Sequence, residues 1–315
     1  MSARQVASPL MPAGTHDAVP DDRNADAVVS VNGELVGRDE AKISVFDSGY
    51  LVGDGVWEAV RLHRGVLVFL DEHLDRMWAA AATVGIDIGM SRAALTAEIR
   101  KVLDANSMTD GVHVRFMLTR GIKRTPSQDP RLTVSGPNLV IIPEHKLARP
   151  ATSAAGISLF TSTIRRGGPE MLDPRLNCHS KLHEVMALIQ AIEAGADEAL
   201  MLDPHGNVAT CNSTNFFIVR RGEVWTSTGA YCLHGITRGK VLDVARQAGI
   251  PAHERDFSLF EVYSADEAFV TGTLGGLIPV GAVDGRSIGD GRRSMTDRLR
   301  ALYEGAIEAA VEAAS

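Results

Sequence analysis

The chain has 315 residues, 45% hydrophobic and 23% charged, with a formal net charge of −7 and an isoelectric point near 5.8. That length holds two domains with separate cores, and the composition is that of a globular protein. No basic run interleaved with aromatics supports nucleic-acid binding, and no run of about 18 apolar residues supports a membrane span.

Residues 1–25 carry charges and prolines, lack the apolar centre of a secretory signal, and read as a mobile arm available for a partner subunit to order. From Ala27 to Val36, two apolar-rich runs flank Asn32-Gly33, a hairpin signal. Strand-like runs follow at 56–62, 66–70, 112–119 and 138–142, around helical stretches near 71–84 and 92–105. The prolines between Pro143 and Ser153 mark an interdomain linker, placed at 146–153. Beyond it come a strand near 157–161, a helix over 180–194, strands near 198–202 and 215–219, a helix over 237–248 and a last helix over roughly 295–313. The expected division is a small α+β domain over 26–145 and a larger domain over 154–315 that holds the site. Cys178, Cys211 and Cys232 form no C-x-x-C pair and suit a reducing, cytoplasmic setting.

Six motifs stand in order along this frame. They are V-F-D-S-G-Y-L-V-G-D-G-V-W-E from Val45 to Glu58, H-L-D-R from His73 to Arg76, and D-P-R-L-N-C-H-S-K-L-H-E-V-M-A from Asp173 to Ala187. G-N-V-A-T-C-N-S-T-N-F-F follows from Gly206 to Phe217, then L-H-G-I-T-R ending at Arg238 and A-D-E-A-F-V-T-G-T from Ala265 to Thr273. Each alone is weak, but together they resemble the class IV, or fold-type IV, aminotransferases, over about Val28 to Gly291. That family includes branched-chain and D-amino-acid aminotransferases and aminodeoxychorismate lyase. The resemblance implies a two-domain α+β fold-type IV aminotransferase fold, a pyridoxal phosphate (PLP) cleft between the domains and a homodimer.

Two positions depart from the family pattern. The family's Schiff-base lysine falls ten residues before Ala187, where this chain has Asn177. A carboxamide forms no imine. The family's glutamate, which faces the pyridine nitrogen, falls at Thr210, and a neutral hydroxyl does not balance a pyridinium charge.

The anion-binding positions are retained. The resemblance places Arg76, Ile236, Thr237 and Thr273 around a cofactor phosphate. Gly235-Ile-Thr-Arg before an apolar-periodic run also reads as a helix N-terminus, which is an anion site by its own physics. On the substrate side, Arg115 and Arg120 are candidates to bind a carboxylate, with an interdomain or dimer salt bridge as the rival role. Trp57 is a substrate contact or core packing. Lys181, four residues beyond Asn177, is a surface lysine by default and a surrogate amine in the rival reading. His179 and His183 lack a third ligand cluster, so no metal is expected.

The expectation is an enzyme of the aminotransferase class IV fold that has lost its Schiff-base lysine. It would carry out a PLP-independent, non-transaminating reaction on a small anionic metabolite in the former PLP cleft. Two alternatives stay open: a non-catalytic or engineered-inactive protein holding PLP or pyridoxamine phosphate (PMP) noncovalently, and a slow transaminase of branched-chain or D-amino acids. No covalently bound cofactor and no nucleic-acid or membrane partner is expected.

Overall fold

A computed structural model describes residues 14–16 and 18–314. The first half is a six-stranded antiparallel sheet of β1 (Val28–Val31), β2 (Glu34–Gly37), β3 (Gly55–His63), β4 (Val66–Leu67), β5 (Val112–Thr119) and β6 (Asn138–His145). Its order is β2-β1-β6-β5-β3-β4. Asn32 and Gly33, at φ 54° and 85°, close the first hairpin in the left-handed geometry that Asn-Gly favours. The short α1 (Ser48–Val52) precedes β3, while α2 (Leu70–Thr83) and α3 (Arg92–Ala105) cover one face of the sheet.

Strand alternation decides which face is the core. Val112, Val114, Phe116 and Leu118 of β5 are buried and cluster with Leu74 and Met77 of α2 and Leu95 and Ile99 of α3. The residues between them, His113 and Arg115, therefore point to the opposite face, where they pair in register with Arg61 and Ala59 of β3. The strand expected over 66–70 ends at Leu67, because Phe69 at φ 56° is the left-handed residue that starts α2.

The second half is a mixed nine-stranded sheet beginning after α4 (Pro150–Ala155). Its elements are β7 (Ile157–Thr161), α5 (Leu182–Glu193), β8 (Glu198–Leu202), β9 (Val208–Cys211), β10 (Asn215–Arg220), β11 (Glu223–Thr226), α6 (Ile236–Gln247) and β12 (Ala252–Glu254). Then come α7 (Leu259–Tyr263), β13 (Glu267–Gly272), β14 (Gly276–Val283), β15 (Arg286–Ser287) and α8 (Ser294–Ala314). The order is β12-β11-β10-β13-β14-β7-β8-β9, with β15 beside β14. Phe217 and Phe269 stack at 4.8 Å, and that layer packs on Val241 and Leu242 of α6 and Leu299 of α8.

Two of the expected boundaries meet ordered structure. The last residues of the expected 146–153 linker are the first turn of α4. The described part of the 1–25 arm is docked on its own chain. Thr15 is buried, Val19 N–H donates to the Leu147 carbonyl at 3.2 Å, and the Asn24 amide donates to the His145 carbonyl at 2.8 Å. The Val19 N–H and the Asn24 side chain thus find their partners within the chain. Residues 1–13 and 17 lie outside the described residues. No helix among the described residues is long and apolar enough to cross a membrane.

Candidate functional site

A cleft of about 440 Å³ lies between the two halves, within the size range of small-molecule sites. Trp57, Arg76 and Arg115 line it from the first half, and Asn177, Thr210 and Thr273 from the second.

Asn177 is held there by its backbone. Trp57 N–H donates to the Asn177 carbonyl at 2.9 Å, His179 N–H donates to Gly55 O at 3.0 Å, and the Trp57 indole N–H donates to Cys178 O at 3.1 Å. These bonds clip the extended 177–179 segment onto the start of β3, joining the halves. Asn177 is only 4% exposed, yet its carboxamide has no hydrogen-bond partner among the described residues. Neither of its polar atoms is fully enclosed, and the side chain lines the cleft, so its donors and acceptor are available to a ligand.

The N-terminus of α6 forms one end of the cleft. Gly235 is its N-cap, with no side chain closing the first turn, so the N–H groups of Ile236 and Thr237 lack intrahelical partners. A Cβ at the cap would stand 2.1 Å from Asn215 Oδ1, so any larger residue there would have to displace the Asn215 carboxamide. Arg76, from α2, reaches the same end. Its Nε and Nη2 grip Glu58 at 2.6 and 2.8 Å and its Nη1 donates to the His234 carbonyl at 2.8 Å. Three of its five N–H groups are used, leaving one on each terminal nitrogen. Thr273 lines this cleft, and so does Thr271, whose buried hydroxyl has no partner among the described residues. Thr271 was missed in the sequence, although it begins the T-G-T motif.

Thr210 spends its proton locally. Its hydroxyl donates to the Thr214 carbonyl at 2.8 Å, so toward the cleft it offers only lone pairs.

Arg115 brings an unpaired cation to the cleft. Its guanidinium stacks 4.2 Å from the centre of the Trp57 ring and has no hydrogen bond or ion pair among the described residues. Trp57 thus orients a cation at the cleft wall. Burial, with the charge of Arg115, pushes the neighbouring His113 down to about 3, so this histidine, which also lines the cleft, is neutral near pH 7. Arg120 does not reach the cleft. Strand β5 ends at Thr119, and Arg120 turns away to grip Asp54 at 2.6 and 2.9 Å and the carbonyls of Val84 and Gly85, an ion pair within the first half rather than between domains.

Lys181 lines the cleft instead of standing on the outer surface, with Nζ 3.6 Å from Glu184 Oε1. Glu184 also takes the buried Arg166 at 2.6 Å, and Arg166 meets His183 at 2.7 Å. His183 is committed to this network.

A class IV aminotransferase family model matches residues 55–283. Branched-chain-amino-acid aminotransferase-like protein 1 of Arabidopsis thaliana is 38% identical over 291 residues, 92% of this chain and 52% of that protein. The chain spans about half the length of the two Arabidopsis relatives it matches. A putative branched-chain-amino-acid aminotransferase of Methanocaldococcus jannaschii is 36% identical over 82% of this chain and 89% of its own. Among solved structures, the branched-chain aminotransferase of the thermophilic archaeon Thermoproteus uzoniensis with norvaline superposes with a TM-score of 0.79 at 27% identity, covering 88% of this chain and 93% of the other.

The residues fit a PLP-type group at one end only. The open α6 N-terminus, the free N–H groups of Arg76 and the orphan hydroxyl of Thr271 suit a phosphate. Asn177 and Thr210 do not suit a covalently attached, ring-protonated cofactor, since one supplies no amine and the other no charge.

Proposed function

The chain belongs to the class IV aminotransferase family, and from that premise we propose that it performs a PLP-independent, acid–base reaction on a small anionic metabolite in this cleft. The observation that carries the proposal is the combination of a preserved anion end with an unpartnered carboxamide at Asn177 and an acceptor-only hydroxyl at Thr210. The α6 N-terminus and Arg76 hold one anionic group of the ligand. Arg115, fixed by Trp57, holds a second. Between them Asn177 donates and accepts hydrogen bonds, and Thr210 accepts one. Asn177 and Thr210 thus become recognition groups.

The test is incubation with a panel of small carboxylates and phosphate esters without added PLP, followed by proton NMR. Turnover in that mixture supports the proposal. Turnover that needs both PLP and an amino acid counts against it and favours slow transamination.

One observation favours a second reading. The phosphate end is complete without any amine, so noncovalent retention of PLP or PMP by a non-catalytic protein matches the same geometry. We further propose a homodimer. Leu182, Val185, Met186, Ile189 and Ile192 form an exposed apolar stripe on α5, and a second copy would cover it.

A further inference from the structure

One chain of hydrogen bonds, absent from the sequence reading, ends in the cleft on a free nitrogen. Glu198 of β8 is 2% exposed, and its Oε2 accepts from the Thr214 hydroxyl at 2.9 Å. Its Oε1 accepts from the Thr15 backbone N–H at 3.0 Å and from the Thr15 hydroxyl. That hydroxyl has a single proton, and the carboxylate takes it. The same oxygen meets His16 Nδ1 at 3.3 Å, the long end of hydrogen-bond reach, and there it only accepts. Nδ1 therefore carries the ring proton, and neutral His16 presents an unprotonated Nε2.

His16 is exposed and lines the same cleft as Arg115 and Asn177. Its Nε2 has no hydrogen-bond partner among the described residues. The charged groups around the ring are Glu198 from β8, Arg115 from β5 and Lys146 just beyond β6, with His113 also close by. An exposed imidazole is chiefly neutral at pH 7, the state a base requires.

We propose that His16 is the general base of the cleft, oriented by the Thr15–Glu198 chain, and that it takes a proton from carbon next to a carbonyl of the anionic ligand. This rests on the reading of the cleft as an anion site working without PLP. In the step, Nε2 bonds the proton, the C–H electron pair becomes a carbon–carbon double bond, and the carbonyl pair moves onto oxygen. Arg115 balances the enolate charge. The imidazolium returns the proton to the same or the neighbouring position, so the net change is exchange or isomerisation without oxidant or reductant. Thr15 and Glu198 are positioning residues, acting as the buried acid does behind other catalytic histidines.

The test is proton–deuterium exchange at C3 of 4-methyl-2-oxovalerate and 2-oxoglutarate in D2O, followed by NMR, with calorimetry measuring their binding. The unaltered protein should accelerate exchange of at least one. His16→Gln should lower the rate by about 100-fold or more with binding retained. Thr15→Val should lower it about tenfold and move the pH–rate profile, since a purely structural role would not move that profile. Nitrogen-15 NMR of labelled histidine, assigned with His16→Gln, should report His16 protonated on Nδ1. Undiminished exchange in His16→Gln overturns the proposal, as does an Nε2-protonated ring in the unaltered protein. Binding without exchange in the unaltered protein overturns this proposal alone. No binding of these probes or of inorganic phosphate sinks the anion-cleft reading as well.

Discussion

Thr210 donates its only hydroxyl proton to the carbonyl of Thr214, 2.8 Å away, and so meets any ligand as an acceptor without charge. A glutamate at the same point would meet that carbonyl with a carboxylate. Thr210→Glu alone should therefore cost roughly a few kcal/mol in urea unfolding and give no transaminase activity. Asn177→Lys alone should give a coloured adduct with PLP and weak turnover. The double variant should exceed the product of the single effects, because each change supplies a function the other needs. The readout is conversion of bound PLP to PMP across L- and D-amino acids. An adduct without conversion in the double variant would show a pocket altered beyond these two residues.

Arg76 anchors Glu58, which is fully buried and also receives His73 at 2.8 Å. Burial raises the Glu58 carboxyl, but Arg76 and His73 outweigh it and hold it below its ordinary value. Arg76→Ala leaves that buried carboxylate with His73 as its remaining partner and should cost about 3–5 kcal/mol. Arg76→Lys keeps the charge but loses the fork, so it serves where the alanine variant does not fold. Calorimetry with inorganic phosphate and PMP should show binding weakened at least tenfold or so in either variant. Equal affinity would remove Arg76 from the site.

Glu184 gives a pH dependence with a defined sign. Burial pushes its carboxyl up, but His183, Lys181 and Arg166 outweigh that and hold it at about 2, against 4.5 unperturbed. Its folded value lies below its unfolded one, so its contribution is full above about pH 4.5 and is lost as the pH falls toward 2. Between pH 6 and pH 2 the protein should lose up to about 3 kcal/mol more than Glu184→Gln does. Parallel urea titrations at the two pH values check it, and identical losses would contradict it.

The α5 stripe leads to an assembly prediction. Ile189 is 48% exposed at its centre, and Ile189→Glu should shift light scattering from dimer to monomer at micromolar concentration. A stable monomer in the unaltered protein would contradict the homodimer.

What the sequence made legible was local. Strand β5 and helix α3 match the expected 112–119 and 92–105, because alternation and the 3.6-residue period are written into their apolar positions. Helix α5 starts at Leu182 rather than at 180, and its N-cap Lys181 offers no side-chain bond that would have marked the start. The start of α6 was legible for the same local reason, since Gly235 to Arg238 is a contiguous helix start. Arg120 was not, because its partner Asp54 lies 66 residues away. The His16 chain was the least legible part. Its anchor Glu198 is 183 residues from Thr15, and a segment rich in charge and proline gives no sign that one of its hydroxyls meets a buried carboxylate.

Borohydride reduction of the unaltered protein in the presence of PLP, followed by peptide mass analysis, tests the central claim most directly. The reading of Asn177 as the family's lysine position predicts that no lysine carries a pyridoxyl group, even with PLP held through the α6 end and Arg76. Lys181 lines the same cleft and is, among the described residues, the amine placed to contradict this. A pyridoxyl group on Lys181 would mean that the cleft has replaced its amine rather than lost it, and the PLP-independent account would fall.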